Sequence, residues 1–226
     1  MLTVIIPAYN EEKIIQNTID TIFDWSTNNM IEIYLVIVNN NSTDSTENIL
    51  KENSSKNKSL VYINEKKQGK GYAVKSGLNL ASSSILILDA DLSVSIDQFQ
   101  KKWLELNNTA ISGSRFMGKV LGTPAKRNLT GKIFSIIVKK YFNMNVDDTQ
   151  CGFKFISYDN MLAIEENLTV GNFAYDVDLL LTMKKLNIEL IDFPVTYIHN
   201  DDSSVRIIKD SFKMFVTILR LKRKYS

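Results

Sequence analysis

Short aliphatic runs alternate with helical stretches through the first half of the chain. The periodicity predicts strands over residues 4–6, 32–38, 60–64 and 85–88, and helices over residues 11–25, about 44–51 and 72–81. The first helix has apolar residues at helical spacing: Ile14, Ile15, Ile19, Ile22 and Phe23. Strands that alternate with helices indicate an α/β fold. Four strands joined by three crossovers predict a nucleotide-binding half of Rossmann-like character.

The fourth predicted strand ends in Asp89-Ala90-Asp91. An aliphatic strand is covered on both faces, so a carboxylate at its end lies at the rim of the sheet, where open α/β folds bind ligands. Carboxylate oxygens suit Mg²⁺ or Mn²⁺, which in turn neutralises a diphosphate. Aspartates are also favoured helix caps. The tripeptide alone therefore leaves a metal site and a capped turn open.

The second half of the chain is less regular, with polar clusters between apolar segments. These clusters are Gly113-Ser114-Arg115, Arg127, Asp147-Asp148-Thr149-Gln150-Cys151-Gly152-Phe153-Lys154 and Asp176-Val177-Asp178. A single arginine is most often part of a surface salt bridge. Two arginines downstream of an Asp-x-Asp strand favour an anion-binding site.

Composition narrows the class of protein. The 226 residues, 44% of them hydrophobic, fit one globular domain over residues 1–226. A net charge of +2 gives no reason to expect nucleic acid as a partner. The lone Cys151 excludes an intramolecular disulfide, and the lone His199 weakens any zinc or Ser-His-Asp site. With no targeting segment and no apolar run long enough to span a bilayer, we expect a cytoplasmic protein, with peripheral membrane contact as an option.

Six motifs occur in the order typical of one enzyme family. They are Pro7-Ala8-Tyr9-Asn10-Glu11-Glu12, the loop over 39–44, Gly69-Lys70-Gly71, Asp89-Ala90-Asp91, Gly113-Ser114-Arg115 and the segment over 148–154. In this the chain resembles glycosyltransferase family 2. The resemblance implies an α/β GT-A fold: a Rossmann-like nucleotide-binding half and a mixed central sheet flanked by helices. It further implies a nucleotide-sugar-binding half over residues 1–92 and an acceptor-binding half over residues 93–226.

Two segments, 148–154 and 173–180, most resemble the dolichyl-phosphate glucosyltransferase branch of that family. This resemblance implies a metal-dependent, inverting hexosyltransferase that moves a sugar, glucose in the first instance, from a UDP-sugar to a polyprenyl phosphate. Two alternatives remain: a family 2 enzyme that acts on a hydroxyl group of a glycan, and a non-catalytic protein that binds sugar nucleotides.

The resemblance also assigns roles to individual residues. Asp89 and Asp91 would hold Mg²⁺ or Mn²⁺ as the cofactor. Ser114, Arg115 and Arg127 would face the acceptor phosphate. The catalytic set would be Asp91, Asp148, Arg115 and Arg127. The nucleotide-sugar pocket would be lined by Pro7, Ala8, Tyr9, Glu11, Asn39, Lys70, Gly71, Asp89, Ala90, Asp91 and Arg206.

The chemistry of the acceptor bears on the missing histidine base. An alcohol acceptor needs a base to deprotonate it, whereas a lipid phosphate is already anionic. A phosphate acceptor therefore explains why no convincing base is found in the sequence. For a hydroxyl acceptor, Asp148 or a carboxylate near it would have to act as the base.

The chain departs from the family pattern in three segments. Asn39 and Asn40 stand where one or two aspartates are usual. The amide of Asn39 can both accept from and donate to uracil, which favours UDP over GDP. Ser93 replaces a glutamine common in mannosyl relatives, and Ser204 stands where the branch usually has lysine. Arg206, two residues further on, is the candidate to supply that missing charge.

Two stretches are candidates for membrane contact. Residues 209–224 form a basic amphipathic pattern, with Phe212, Phe215, Val216, Ile218, Leu219 and Leu221 among lysines and arginines. Residues 132–143 contain a second set of apolar residues: Ile133, Phe134, Ile136, Ile137, Tyr141 and Phe142. Such a face can lie on an anionic leaflet or pack against the domain, and both interpretations stay open.

Overall fold

The computed structural model describes residues 1–123, 125–199 and 207–225. Within them, seven strands form one sheet: β1 Leu2–Ala8, β2 Ile33–Asn39, β3 Leu60–Asn64, β4 Ile85–Ile87, β5 Thr109–Leu121, β6 Lys154–Ile156 and β7 Glu189–Ile198. The α-helices are α1 Ile15–Asn29, α2 Thr46–Lys56, α3 Lys70–Leu78, α4 Ala125–Phe142, α5 Met161–Asn167, α6 Tyr175–Lys185 and α7 Ile207–Tyr225.

The strand order is β3-β2-β1-β4-β6-β5-β7. The first four strands pair in parallel, as predicted for the Rossmann-like half. β6 runs antiparallel to both β4 and β5, which makes the sheet mixed. Strands from both predicted halves therefore share one sheet. Because β6 lies directly beside β4, the segment that precedes Lys154 meets Asp89 at the carboxyl end of β4.

Side chains of the central strands are buried on both faces of the sheet. In β1, Ile5 belongs to one apolar cluster, whereas Val4 and Ile6 belong to the other. Ile85 and Leu86 of β4 divide in the same way. Successive residues of a strand point to opposite faces, so a continuous aliphatic run is buried only where helices cover both sides.

Several helix boundaries differ from the sequence prediction: α1 ends at Asn29 rather than residue 25, and α2 ends at Lys56 rather than at about residue 51. The starts of α1 and α3 differ as well. α1 begins at Ile15 rather than Glu11, because residues 11–14 form a turn in which the N–H groups of Ile14 and Ile15 donate to the carbonyl of Glu11. α3 begins at Lys70, two residues earlier than predicted, and ends at Leu78. Lys70 therefore lies in the first turn of α3 and not in the loop that the sequence predicted before the helix.

The two amphipathic stretches have different environments. On α7, Met214, Ile218 and Leu221 are buried in the core, whereas Leu219 is exposed. Asp178 of α6 accepts hydrogen bonds from Lys224 and Tyr225, which attaches the end of α7 to the domain. The described apolar face of α7 thus mainly packs inward. No helix among the described residues combines the length and the apolar character needed to cross a bilayer.

Candidate active site

The loops that follow β1 and β2 are joined by reciprocal hydrogen bonds. Asn10 accepts from the backbone N–H of Thr43, at 2.8 Å between Oδ1 and N. Glu12 accepts from the N–H of Ser45 at 2.9 Å and donates its own N–H to Asp44. These contacts fix the loops at the carboxyl edge of the sheet, where Pro7, Ala8, Tyr9 and Glu11 lie.

Asn39 and Asn40 both support this edge from within. Asn39 is 2% exposed; its Nδ2 donates to Asn64 Oδ1 at 2.7 Å, and its Oδ1 accepts from the N–H of Ser42. Asn40 donates to the carbonyls of Glu65 and Lys67 and accepts from the N–H of Gly69 at 2.7 Å. Asn40 therefore orders the glycine loop. Contact of Asn39 with a base stays a prediction. It would require the Asn39 amide to give up its hydrogen bonds to Asn64 and Ser42 and to bond to the base instead.

Three glycines bring the start of α3 against the segment that leads to α6. The N–H of Gly71 donates to the carbonyl of Gly171 at 2.9 Å. A Cβ at Gly69 would lie 2.2 Å from Gly171 O, and one at Gly71 would lie 2.1 Å from Val170 O. Gly69 also has φ of +144°, which disfavours other residues. Glycine is thus required at both positions for this close approach.

This contact places Lys70 beside two residues distant in sequence. Its Nζ forms an ion pair with Asp89 Oδ1 and lies 5.7 Å from the centroid of the Tyr175 ring. Burial would lower the pKa of the Lys70 ammonium, but the charge and hydrogen bond of Asp89, with smaller contributions from Tyr175 and Asp176, together outweigh burial and raise the pKa well above its usual value. Burial would raise the pKa of Asp89, but Lys70, together with the charges of Lys154 and Arg115, outweighs burial and lowers the pKa.

Asp91 lies in the turn that follows β4. Its carboxylate accepts from the N–H of Ser93 at 3.0 Å and from the Ser93 hydroxyl at 2.7 Å. The carbonyl of Ala90 accepts from the hydroxyl of Thr18 at 2.6 Å, which attaches the turn to α1. Asp91 therefore stabilises the turn and remains partly exposed at the sheet edge, whereas Ser95, and not an aspartate of the tripeptide, caps the short helix that follows.

Gly152 lies directly against the carboxylate of Asp89. A Cβ at Gly152 would be 2.1 Å from Asp89 Oδ2 and 2.4 Å from its Cγ. No larger side chain can stand there unless Asp89 moves. The segment over 148–154 thus limits the position of a carboxylate more than fifty residues away, because β6 pairs with β4.

Arg115 and Asp148 form a bidentate ion pair. Arg115 Nε lies 2.6 Å from Asp148 Oδ2, and Nη2 lies 2.9 Å from Oδ1. Asp148 is fully buried, and its pKa is lowered because the hydrogen bonds and charge of Arg115 outweigh burial. Ser114 is also fully buried, and its hydroxyl accepts from the N–H of Met117. Of the predicted acceptor residues, Arg115 alone has an exposed part among the side chains described, 22% of it.

A second buried ion pair joins Lys154 to Asp176, at 2.6 Å between Nζ and Oδ1. Lys154 also donates to the carbonyl of Cys151 and is 1% exposed. The pKa of neighbouring Tyr175 is raised well above its usual value, first by burial and then by the charge of Asp176. Our residue assignments omitted Lys154, Tyr175 and Asp176, although all three lie in motifs that carried the resemblance. The sequence signal that could have identified Lys154 is an isolated lysine at the start of an apolar strand.

Comparison with known proteins identifies the family. The sequence profile described as "Glycosyl transferase family 2" matches residues 3–161. The chain belongs to glycosyltransferase family 2. It is 27% identical to a dolichyl-phosphate beta-glucosyltransferase of Trichomonas vaginalis, over 97% of this chain and 72% of the relative. It is 28% identical to the enzyme of that name from Dictyostelium discoideum, over 99% of this chain and 74% of the relative. The predicted resemblance to this branch is confirmed.

A solved structure confirms the fold of this family 2 protein. Glucosyl-3-phosphoglycerate synthase from Mycobacterium tuberculosis, in complex with uridine-diphosphate, superposes with a TM-score of 0.69 at 16% identity. The match covers 97% of this chain and 79% of the synthase. The mixed sheet with flanking helices is therefore a GT-A fold, as predicted. Another structure of that synthase contains Mn²⁺, UDP-glucose and phosphoglyceric acid.

The structure does not describe the side chains of two predicted site residues of this family 2 protein. Arg206 lies outside the described residues, and so does the side chain of Arg127, whose backbone belongs to α4. Lys70, Asp89, Arg115 and Asp148 are brought together at the carboxyl edge of the sheet, where Arg115 contributes to the lowered pKa of Asp89. At the neighbouring edge, Pro7 and Ala8 end β1, and Tyr9 and Glu11 lie in the loop that follows it.

The donor set at this edge suits a hard divalent cation only in part. Asp89 and Asp91 supply carboxylate oxygens, the ligands that Mg²⁺ and Mn²⁺ prefer. Among the described residues there is no group of three or more His, Cys, Asp or Glu side chains positioned to hold a metal. Two carboxylates fit Mg²⁺ when a substrate phosphate supplies further ligands, as is common in phosphate-transfer sites.

Proposed function

We propose that this family 2 protein transfers glucose from UDP-glucose to a polyprenyl phosphate, with inversion at the anomeric carbon. The pairing of Asp148 with Arg115 carries the proposal. A fully buried carboxylate with a lowered pKa, bonded through both oxygens to a guanidinium, is a poor proton acceptor. An acceptor that is already ionised needs no such base. The names of the dolichyl-phosphate relatives support the same acceptor class.

The proposed reaction balances without proton transfer. An oxygen of the acceptor phosphate attacks C1 of the sugar, and the bond from C1 to the UDP oxygen breaks with its electron pair leaving on UDP. Arg115 uses Nε and one Nη2 proton on Asp148, so its remaining donors are available to orient the acceptor phosphate. A divalent cation held by Asp89 and Asp91 would neutralise the diphosphate leaving group when bound.

The decisive experiment measures UDP release from UDP-glucose with Mn²⁺ or Mg²⁺, with and without polyprenyl phosphate. We expect release that depends on the lipid and is lost in Asp91→Ala. Asp97→Ala is the matched control, because Asp97 is exposed and hydrogen-bonds only locally with Ser95. Release stimulated by a glycan in place of the lipid would select the hydroxyl-acceptor alternative. Nucleotide binding without turnover on any acceptor would select the non-catalytic alternative.

We further propose that α4 rests on an anionic membrane surface, as access to a lipid acceptor requires. One face of α4 carries five apolar side chains that are each 40% to 60% exposed: Leu129, Ile133, Ile136, Ile137 and Tyr141. Scattered exposed apolar residues are ordinary, but a continuous stripe on one helix is typical of an interaction surface.

Lysines surround the C-terminal end of this stripe. Lys222 lies 5.0 Å from the centroid of the Tyr141 ring, and Lys184 donates to the carbonyl of Phe142 at 3.0 Å. With Lys185 they line a cavity of about 360 Å³ at this end of α4. Each basic residue near an anionic leaflet contributes about 1 kcal/mol of binding free energy. This positive charge favours an anionic lipid leaflet, rather than a second copy of the chain, as the partner that covers the apolar stripe of α4.

Flotation with vesicles tests the stripe. The wild type should float with vesicles of phosphatidylglycerol and phosphatidylcholine, and less with phosphatidylcholine alone. The Ile133→Glu/Ile137→Glu variant should lose flotation, whereas Leu162→Glu on α5, where leucine is 73% exposed, should retain it. Equal flotation of all three proteins, or a wild-type dimer by light scattering that the double variant disrupts, would reject the membrane assignment.

A further inference from the structure

As long as Lys70 is paired with Asp89, the ion pair conflicts with metal binding by Asp89. Lys70 Nζ bonds to Asp89 Oδ1, and the lysine side chain is only 18% exposed. Gly152 lies against the same carboxylate, but the Asp89 side chain is still 35% exposed. A divalent cation that approaches this exposed side of Asp89 therefore meets the charge of the bound ammonium group.

The repulsion between an ammonium and a divalent cation on one carboxylate is large. Like charges a few ångströms apart repel strongly near a protein surface, and the second charge here is double. The side chain of Lys70 has a flexible stem and a single compact charge, so it can leave Asp89 without backbone movement. The backbone around it is held in place, since Gly71 donates to Gly171 and Gly69 donates to Asn40.

We propose that Lys70 is a built-in counter-ion that occupies Asp89 until a nucleotide diphosphate draws it away. The ammonium then pairs with the diphosphate, and Asp89 becomes available to the cation. Metal and donor consequently bind as a unit, and the enzyme without donor holds metal weakly. This inference rests on the proposed function only for the identity of the donor, a nucleoside diphosphate sugar.

Titration of Mn²⁺ alone and with UDP, followed by the electron paramagnetic resonance signal of free Mn²⁺, tests the proposal. The wild type should bind Mn²⁺ weakly alone and much more tightly with UDP. In Lys70→Met, Mn²⁺ should bind at least about tenfold more tightly without UDP, because the competing charge is gone. The gain in Mn²⁺ affinity on adding UDP should shrink, and UDP affinity should fall.

Two further variants separate competition from other effects. Lys67→Met removes an exposed lysine of the same loop, whose Nζ lies 5.7 Å from the Tyr72 ring centroid, and should behave as the wild type. Lys70→Arg keeps the charge and should keep weak Mn²⁺ binding without UDP. Circular dichroism at the titration temperature verifies that each variant is folded, and Lys70→Arg carries the test if Lys70→Met is unfolded.

Unchanged or weaker Mn²⁺ binding by folded Lys70→Met would overturn the proposal, as would equal tightening in Lys67→Met. If Lys70→Arg has to serve alone, tighter Mn²⁺ binding without UDP than in the wild type would overturn it. These titrations contain no acceptor. Failure of lipid-dependent turnover would therefore reject the polyprenyl phosphate acceptor and leave the Lys70 result intact. Failure of the Lys70 titrations would likewise leave the acceptor proposal intact.

Discussion

Arg115 holds Asp148 through two parallel hydrogen bonds, from Nε to Oδ2 and from Nη2 to Oδ1. The two residues are 33 positions apart, and the backbone N–H of Arg115 donates to the same carboxylate at 3.1 Å. Arg115 therefore supplies three donors to this carboxylate, and the backbone N–H of Gln150 supplies a fourth at 3.1 Å. We therefore propose that Asp148 positions Arg115, whose partly exposed guanidinium would bind another anion.

Loss of the arginine should destabilise the fold. Arg115→Met leaves Asp148 as a buried, unpaired charge, and we expect the free energy of unfolding to fall by about 3 kcal/mol. The double variant Arg115→Met/Asp148→Asn should recover part of this loss, because no charge is left buried. Urea unfolding monitored by circular dichroism measures both changes. A double variant no more stable than Arg115→Met would contradict the argument.

Gly152→Ala should impair donor chemistry without unfolding the protein. The new methyl group would stand 2.1 Å from Asp89 Oδ2 and must displace that carboxylate. A displacement of about 1 Å at a reacting site can cost on the order of 100-fold in rate. Gly131→Ala is the control, since no heavy atom lies within 4 Å of its Cβ position. Turnover that is equal in the two variants would refute the proposed constraint on Asp89.

Asp192 should make stability depend on pH. Its folded-state pKa is raised, mainly by burial, with the charges of Asp147 and Asp148 adding to the effect. A raised pKa means that its favourable contribution is complete below the unfolded pKa, about 3.9, and is lost as the pH rises through the folded pKa. Asp192→Asn should therefore melt at a higher temperature than wild type at pH 7.

This difference in Tm should narrow as the pH falls and close below about 3.9, where Asp192 becomes protonated even in the unfolded chain. Thermal melts across this range check the sign. Asp24→Asn on the exposed face of α1 removes the same charge and should produce no such pH-dependent gap. A gap that widens at low pH would show that the aspartate is stabilising in its charged form.

Cys151 should be inert in the folded protein. Its side chain is 1% exposed, and burial raises the pKa of the thiol to about 12. The thiolate is the reactive species, so Ellman's reagent should modify Cys151 only after unfolding. A slow reaction whose rate rises with urea in step with loss of ellipticity would agree. Rapid, complete modification of the native protein would contradict it.

Much of the nucleotide-binding half was predictable from local pattern. The strands over residues 32–38 and 85–88 are largely buried aliphatic runs, whereas only Leu60 is buried in the edge strand over 60–64. The parallel pairing of these strands follows from the helices between them. Helix ends were less predictable. Lys70 joins α3 because Gly71 donates to a carbonyl a hundred residues away, a partner that no local pattern reveals.

By itself, the sequence determined the α/β class, the family motifs and the rim carboxylates Asp89 and Asp91, because each depends on local residue order. Only the tertiary structure decided their partners. It paired Lys70 with Asp89 and Arg115 with Asp148, since these contacts arise where β6 inserts beside β4 and where glycines let α3 approach residues 170–171. It also decided which amphipathic helix is covered, because burial depends on what packs against a face.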